Sequence, residues 1–308
     1  MIYYEVRRHF DLSAQLTVRA IAKVADTYKI TKKNQHIFKL HGAATYDERC
    51  LSWKTQNKQE VSILTIAGRK SIPFVCGEHQ RNMLACRLGQ ADLIYRDGMF
   101  FLHQTCEVEI PDTNDPEDWL GIDLGICNIS TDSDGQVYAG GELNGLRDRH
   151  AKLRARLQGK GTKSAKRLLK KRRRKESRFA NHTNHCIAKS IVKKAKDTGR
   201  GIAMEDLTDI RDRITVRKRQ RRRHSSWAFR DLRNKIEYKA ALAGVKIAIV
   251  DPRNTSRTCP KCGTIDKRNR PNQETFSCVS CGFSGHADTI AAGNIARRAA
   301  VDQPYGSV

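Results

Sequence analysis

Four of the ten cysteines fall in two close pairs near the carboxyl-terminal end of the chain. Cys259 and Cys262 form the first pair, and Cys278 and Cys281 follow after a fifteen-residue spacer. Each pair presents two thiolates to one side of a tight turn, which Gly263 or Gly282 permits, and four thiolates satisfy tetrahedral zinc. Because no coordination position stays open, we expect a structural Zn²⁺ ion that supplies folding energy to this segment.

The other six cysteines are scattered singly, which indicates reduced thiols rather than a disulfide scaffold. They are Cys50, Cys76, Cys86, Cys106, Cys127 and Cys186. A redox role for the close pairs is disfavoured, because two such pairs at this separation rarely arise by chance.

Three acidic residues at predicted strands and at a predicted helix start are candidate metal ligands. Asp123 lies within "LGIDLG", Glu205 follows "GIAM", and Asp288 begins "DTIAAGNIARRA". Each has a simple interpretation on its own, namely a strand-end hydrogen bond for Asp123 and helix capping for the other two. Burying an unpaired carboxylate is costly. Two carboxylates on strands and one at a helix start therefore together predict a site for two Mg²⁺ ions that hydrolyses a phosphodiester.

The chain is strongly basic, with 58 Lys and Arg against 33 Asp and Glu and a formal net charge of +25. Such an excess favours nucleic acid as the partner. Basic runs at 147–178 and 211–224 predict contacts to phosphates, which position a strand without specifying its sequence. Arg257 is a candidate for approaching the scissile phosphate, or else a surface residue. The predicted contact residues are Arg154, Arg156, Lys163, Lys166, Arg167, Lys170, Lys171, Arg172, Arg217, Lys218, Arg221 and Arg257.

The elements that must position these residues follow from hydrophobic periodicity. A helix is predicted near 11–28, capped by Asp11 or Ser13, and short strands occupy 36–110, including a hairpin that turns at Asp97-Gly98. Beyond 119 the pattern gives hairpin strands, basic helices joined around 159–161, and alternating strands and helices. This order predicts an α/β fold with a mixed sheet, preceded by a smaller α+β amino-terminal region.

The segment "PDTNDPED" at 111–118 marks a boundary, because it combines two prolines with acidic residues. The predicted divisions are an amino-terminal nucleic-acid-binding region, a core with a basic helical insertion, a cysteine module, and a final helix with its tail. They cover 1–118, 119–255, 256–284 and 285–308 respectively. No apolar run approaches the ~20 residues that span a bilayer, and no signal-peptide h-region is present, so we expect a cytoplasmic protein without membrane contacts.

Three motifs carry a resemblance to a known family. "GIDLGICNISTDSDG", "GIAMEDL" and "DPRNTSRTCPKCG" with "FSCVSCGFSGHADTIAAGNIA" closely resemble the RuvC-like segments and inserted zinc ribbon of the OrfB (TnpB) proteins of insertion sequences. These proteins are related to type V CRISPR effector nucleases. The resemblance implies an RNase H-like (RuvC) core, the catalytic acids Asp123, Glu205 and Asp288, and zinc bound by the four paired cysteines. It further implies cleavage of DNA directed by a guide RNA.

Two features depart from the family pattern. Members usually carry additional sequence before the stretch that begins here at Met1, so we expect an amino-terminally shortened member. Many relatives have Asn two residues after the last catalytic Asp, where this chain has Ile290. Two alternatives therefore stay open, namely a nucleic-acid-binding or regulatory protein that no longer cleaves, and a guide-independent nuclease of the RuvC type. The family's older label is transposase, but the acids suit hydrolytic cleavage.

Overall fold

The computed structural model describes residues 2–33, 35–55, 58–113, 115–207 and 229–301. The chain divides into two compact units, Met1–Glu109 and Ile110–Val308. No helix within the described ranges has the length and apolar character needed to cross a membrane.

The first unit combines helices with two three-stranded antiparallel sheets, ordered β1-β5-β6 and β2-β3-β4. Its helices are α1 (Ile2–Phe10), α2 (Ala14–Ile30) and α3 (Glu78–Met83). Its strands are β1 (Ala44–Tyr46), β2 (Leu51–Lys54), β3 (Glu60–Thr65), β4 (Gly68–Pro73), β5 (Arg87–Arg96) and β6 (Met99–Cys106).

Local sequence explains two of these elements. The Ser13 side chain accepts a hydrogen bond from the backbone N–H of Leu16 and caps α2, which selects one of the two predicted capping residues. The β5–β6 hairpin turns at Asp97 and Gly98, whose φ angles are 53° and 87°. This left-handed turn confirms the predicted hairpin, because Asp-Gly suits positive φ at both turn positions.

The second unit is built on a five-stranded sheet ordered β11-β10-β7-β8-β9. Its strands are β7 (Trp119–Asp123), β8 (Asn128–Asp132), β9 (Val137–Ala139), β10 (Gly201–Glu205), β11 (Ile247–Val250), and a separate hairpin of β12 (Thr275–Ser277) and β13 (Ser284–His286). Its helices are α4 (Gly141–Lys160), α5 (Lys163–Arg172), α6 (Lys175–Asp197), α7 (Phe229–Ala243) and α8 (Ala287–Val301).

Pairing in the large sheet is mixed, as the sequence predicts. Strand β10 runs parallel to both β7 and β11, whereas β8 is antiparallel to both of its neighbours. Parallel neighbours require crossover connections, and the helices of this unit supply them. The predicted α/β class with a mixed sheet is therefore confirmed for the second unit.

The two faces of this sheet are covered by different helices. Alternate residues such as Leu120 and Ile122 pack with α6 and α7 in the main core. The opposite face, which includes Trp119 and Ala203, packs against Ile295 of α8. Because successive side chains on a strand point to opposite faces, the last residues of β7 and β10 lie on the α8 face.

Gly121 allows α8 to lie directly on β7. A Cβ atom at this position would lie 1.9 Å from the carbonyl oxygen of Ala292 and 2.8 Å from the backbone nitrogen of Ala296. Helix and strand backbones therefore meet without an intervening side chain, and this contact sets the height of α8 over the sheet.

Gly121→Ala should lower the free energy of unfolding by about 3 kcal/mol or more, since backbone atoms must move to admit the methyl group. Urea denaturation measures the change. Gly293→Ala on α8 is the matched control, because no heavy atom lies within 4 Å of its added Cβ, and alanine is the better helix former by ~1 kcal/mol. Equal losses in the two variants would contradict the close approach at Gly121.

Candidate functional site

Three carboxylates meet at one edge of the large sheet. The parallel register pairs Met204 with Ile122, so the next residues, Glu205 and Asp123, lie side by side at the carboxyl ends of adjacent strands. Asp288 is the second residue of α8, the helix packed on the same face. We refer to these three residues as the carboxylate cluster.

The cluster is electrostatically strained without a cation. Burial raises the pKa of Asp123 to about 7, and the negative charges of Glu205 and Asp288 add to the increase, while the Arg270 guanidinium opposes it. Burial also raises the pKa of Glu205. Converging carboxylates of this kind gain stability when a bound cation offsets their repulsion, and oxygen donors of this type suit Mg²⁺.

Neighbouring side chains hold two members of the cluster in place. One oxygen of Asp288 accepts a hydrogen bond from Asn128 Nδ2 at 3.0 Å, and the other accepts from Arg270 at 2.7 Å. The buried Thr255 hydroxyl donates to Glu205 Oε1. Both contacts of Asp288 are made to side chains, so neither is a helix-capping bond.

The donor atoms of the carboxylate cluster are more widely spaced than those of the four paired cysteines. Among the described residues, the four paired cysteines are the only group of at least three potential ligands whose donor atoms all lie within 4.8 Å of one another. The carboxylate cluster is therefore wider than a closed site for one ion. Two-metal sites hold ions about 4 Å apart and need ligands spread around both.

Asp123→Asn should stabilise the protein in the absence of added magnesium, and the gain should grow as the pH rises. A proton on Asp123 favours the folded state, because its pKa is about 7 there and about 3.9 in an unfolded chain. That contribution is complete below the unfolded pKa and is lost as the pH passes the folded pKa. We expect the gain at pH 8 to exceed that at pH 5 by about 2.6 kcal/mol.

Thermal or urea unfolding at the two pH values measures this difference. Asp206→Asn is the control, because Asp206 follows Glu205 in sequence but pairs with Arg233 at 3.2 Å. Added Mg²⁺ should stabilise the unsubstituted protein more than Asp123→Asn. The unsubstituted protein should then be the more stable of the two. A gain that did not depend on pH would contradict the electrostatic origin.

The four paired cysteines form a compact cluster, as their spacing predicts. The Sγ atoms of Cys259 and Cys281 lie 3.6 Å apart, as do those of Cys262 and Cys278. Thiolates around tetrahedral zinc, with Zn–S bonds of about 2.3 Å, are about 3.8 Å apart. Gly263 and Gly282 end the two turns with φ angles of 75° and 69°. The donor set and its geometry fit Zn²⁺.

The segment around the cysteines, which we call the ribbon, is tied together by Asn269. This residue is fully buried, its amide nitrogen donates to the carbonyls of Arg257 and Thr264, and its oxygen accepts from the N–H of Val279. Asn269 therefore links the two cysteine pairs, and the ribbon gains a polar brace beside its small core around Phe276.

The ribbon leads directly into the helix that carries Asp288. Strand β13 ends at His286 and α8 begins at Ala287, whose N–H donates to the Glu274 carbonyl at 2.8 Å. Ile290 packs against the ribbon core, which gives a physical role to the apolar residue at this position. The start of α8 is thus fixed by the ribbon as well as by the sheet.

Three contacts of the carboxylate cluster are missed by sequence reasoning. Asn128 and Thr255 lie within the motifs that resemble the family but are not among the predicted site residues, and Arg270 lies in the spacer between the cysteine pairs. Arg257, the arginine predicted to approach the site, is exposed. Arg270 is the arginine that forms an ion pair with the cluster, at 2.7 Å from Asp288.

The predicted nucleic-acid contacts on α4 and α5 are exposed, except Arg172, which is half-buried. Those residues are Arg154, Arg156, Lys163, Lys166, Arg167, Lys170, Lys171 and Arg172. Arg217, Lys218 and Arg221 lie outside the described residues. The described basic helices therefore present a positively charged surface.

Two family models match the chain. The model described as "Probable transposase" matches residues 103–211, and the model described as "Cas12f1-like, TNB domain" matches residues 229–295. The first match contains Asp123 and Glu205, and the second contains the four paired cysteines and Asp288.

Comparison with individual proteins indicates the same group of relatives as the family models. TnpB-like protein MJ0751 of Methanocaldococcus jannaschii is 30% identical over 58% of this chain and 68% of the relative. CRISPR-associated endodeoxyribonuclease Cas12f1 of Sulfoacidibacillus thermotolerans is 46% identical over 40% of this chain, but the match covers only 28% of that relative's length. A solved structure described as "Cryo-EM structure of the Cas12f1-sgRNA-target DNA complex" matches with a TM-score of 0.62 and 16% identity, over 95% of this chain and 73% of that one. This last likeness shows a shared fold.

Proposed function

The chain belongs to the OrfB/TnpB family of insertion-sequence proteins, and we propose that it is an RNA-guided DNA endonuclease that hydrolyses phosphodiester bonds at the carboxylate cluster. The observation that carries this proposal is the convergence of Asp123, Glu205 and Asp288, which strands and a helix from distant parts of the sequence bring to one edge of the sheet. A cluster that is destabilised without cations suits a two-metal nuclease.

The mixed sheet of the second unit supports an RNase H-like (RuvC) core. In this proposal 119–255 and 285–308 form the nuclease core, 256–284 forms a zinc ribbon, and 1–118 forms a nucleic-acid-binding region. The order β11-β10-β7-β8-β9, with parallel strands followed by antiparallel ones, supports that assignment. The acids at the carboxyl ends of β7 and β10 stand where α/β proteins commonly place their sites.

The mechanism assigns separate tasks to the residues of the site. Asp123, Glu205 and Asp288 would hold two Mg²⁺ ions, which supply an activated water and stabilise the charge on the leaving oxygen when bound. Thr255 fixes the orientation of Glu205 through its hydroxyl. Asn128 and Arg270 fix Asp288 from opposite sides.

Guide RNA and target DNA are the proposed partners. The exposed Lys and Arg side chains of α4 and α5 provide contacts to phosphates, and the predicted contacts at Arg217, Lys218, Arg221 and Arg257 extend this proposal from the sequence. The related solved structure is a Cas12f1-sgRNA-target DNA complex, which supports both partners. Zinc in the ribbon is proposed as a structural cofactor, and Mg²⁺ as the catalytic one.

Plasmid cleavage tests the proposal. The protein is co-expressed with RNA transcribed from the end of its own element, purified, and incubated with a matching plasmid and Mg²⁺. We expect linear product that requires both the RNA and the metal. Tight guide-dependent binding without product would favour a nucleic-acid-binding protein that no longer cleaves. Cleavage of branched DNA without RNA would favour a guide-independent nuclease.

Arg270 is expected to act as a positioning residue for Asp288. Arg270→Gln removes the 2.7 Å ion pair and one positive charge that lowers the pKa of Asp123. We expect single-turnover cleavage to slow by about 10- to 100-fold, corresponding to about 1.4–2.7 kcal/mol. The pH at half-maximal activity should also rise, because Asp123 keeps its proton to higher pH.

Arg268→Gln is the matched control for Arg270→Gln. Arg268 lies two residues away and is exposed, and its guanidinium pairs with Asp266 at 2.7 Å. This variant should keep the native rate and pH profile, and Arg270→Lys should recover part of the lost activity. An unchanged pH profile in Arg270→Gln would show that the ion pair has no electrostatic role in the site.

A further inference from the structure

A cavity of about 340 Å³ lies where α4, α5 and α6 meet, and none of the carboxylate-cluster residues lines it. Its polar lining comes mainly from His150, Arg154, Arg172, Arg174 and Glu176, and leucines make up its apolar lining. All three helices contribute side chains to it. The cavity is therefore formed by the helical insertion itself.

The lining has an excess of positive charge. Arg154, Arg172 and Arg173 line the cavity together with a single carboxylate, Glu176. That carboxylate is shared, since Arg154 lies 3.5 Å from it and Arg147 lies 3.8 Å from it. One negative charge cannot neutralise these arginines, so the cavity favours an anion.

The positive charges around the cavity also act on the imidazole of His150. Its imidazole is buried, and burial lowers its pKa, followed by the charge of Arg172 and further by those of Lys175 and Arg154, while Glu176 opposes them. Four of these five effects therefore disfavour a proton on the ring. A bound anion would offset the arginine charges and move the pKa of His150 back toward its ordinary value.

One further feature of the lining is energetically unfavourable. The Nε–H of Arg172 is buried and has no hydrogen-bond partner, and an unsatisfied buried donor costs about 1–3 kcal/mol.

We propose that this cavity binds one phosphate group of a nucleic-acid strand, with Arg172 and Arg154 as its principal donors. A guanidinium presents a fork of N–H groups that matches phosphate oxygens. Phosphate binding at this position would lock the α5–α6 junction against α4. Only the identity of the strand rests on the proposed function, because binding of inorganic phosphate can be measured without nucleic acid.

Titration of the full-length protein with inorganic phosphate at low salt tests the site. Calorimetry should give a single binding event that weakens at least about tenfold in Arg172→Gln, or about 1.4 kcal/mol, and about threefold in Arg154→Gln. Arg149→Gln is the matched control, because Arg149 is exposed on α4 and does not line the cavity. NMR of the His150 ring should show its pKa rising when phosphate is added to the native protein.

The outcomes decide the proposal and identify the source of the phosphate. Absence of phosphate binding, or equal affinity in Arg149→Gln and both cavity variants, would overturn it. Because Arg154 is largely exposed, its variant remains informative if Arg172→Gln fails to fold.

A 5′-phosphorylated oligonucleotide that binds more tightly than its 5′-hydroxyl form, only with Arg172 intact, identifies a terminal phosphate. Equal weakening of both forms in Arg172→Gln identifies a backbone phosphate. Asp123→Asn should bind inorganic phosphate normally, so failure of the nuclease proposal is distinguishable from failure of this one.

Discussion

Replacing Asp123 with asparagine is expected to lower the rate of guided DNA cleavage by at least about 1,000-fold, equivalent to about 4 kcal/mol of transition-state stabilisation. The amide keeps the shape of the side chain but removes the charge that is proposed to hold a metal ion. Glu205→Gln and Asp288→Asn should cause losses of the same order, because each carboxylate is needed for the same pair of ions. Single-turnover cleavage of a labelled target in saturating Mg²⁺ measures the three rates.

The losses of cleavage rate in the single variants should not add in a double variant. Residues that act as one unit give a double variant about as slow as either single variant, so Asp123→Asn combined with Asp288→Asn should be no slower than Asp123→Asn alone. Asp206→Asn provides the control, since it removes a carboxylate next to Glu205 that pairs with Arg233. That variant should cleave within about threefold of the native rate, a difference of less than 1 kcal/mol.

Binding separates loss of chemistry from loss of structure. The carboxylate variants should bind guide RNA and target DNA with native affinity, because the phosphate contacts proposed for α4 and α5 lie outside the cluster. Cleavage that survives in any of the three variants would remove that residue from the site. Lost binding in all of them would show that the cluster supports the fold instead.

The sequence predicts the cysteine cluster and the carboxylate cluster for different physical reasons. The four paired cysteines are close in sequence, and their spacing alone restricts the turns that join them, so their meeting at 3.6 Å between sulfur atoms follows from local geometry. Asp123 and Glu205 could be predicted because each ends a strand of buried residues. A carboxylate in such a position needs a partner.

The hydrogen-bond partners of the carboxylates could not be predicted from the hydrophobic pattern of the sequence. Arg270 reaches Asp288 only because the ribbon folds back over the start of α8, and Asn128 reaches it across 160 positions of the chain. No periodicity encodes contacts of this kind, since they depend on how separate elements pack. The role of Gly121 is hidden for the same reason, because its requirement comes from the backbone of a helix about 170 residues later.

The helix start at Asp288 shows how the two clusters depend on each other. In sequence this aspartate is typical of a helix-capping residue, and the structure instead gives it side-chain partners from β8 and from the ribbon. Ile290 and Ala287 both pack into the ribbon core. The position of the third carboxylate therefore depends on whether the ribbon is folded.

Loss of the proposed zinc ion from the ribbon should consequently abolish most of the proposed cleavage activity. Cys278→Ser removes a buried thiolate and should reduce bound zinc from about one ion per chain to little or none, because structural zinc supplies of order 10 kcal/mol to a segment of this kind. With the ribbon unfolded, Asp288 loses its Arg270 partner and its fixed helix start. We expect cleavage in saturating Mg²⁺ to fall by at least about 100-fold, or about 2.7 kcal/mol.

Elemental analysis, limited proteolysis and cleavage assays on the same preparation test this dependence. Cys186→Ser provides the control, because Cys186 is an exposed single cysteine on α6 and should retain zinc, protease resistance and activity. In Cys278→Ser, new protease cuts should appear within 256–286, while the stretches from β7 to β10 and from α7 to β11 stay protected. A zinc-free protein that cleaves at the native rate would show that the sheet alone fixes Asp288. Unfolding of the whole second unit would show instead that the ribbon supports the core as well as the site, since α8 packs on the sheet through Gly121 and Ile295.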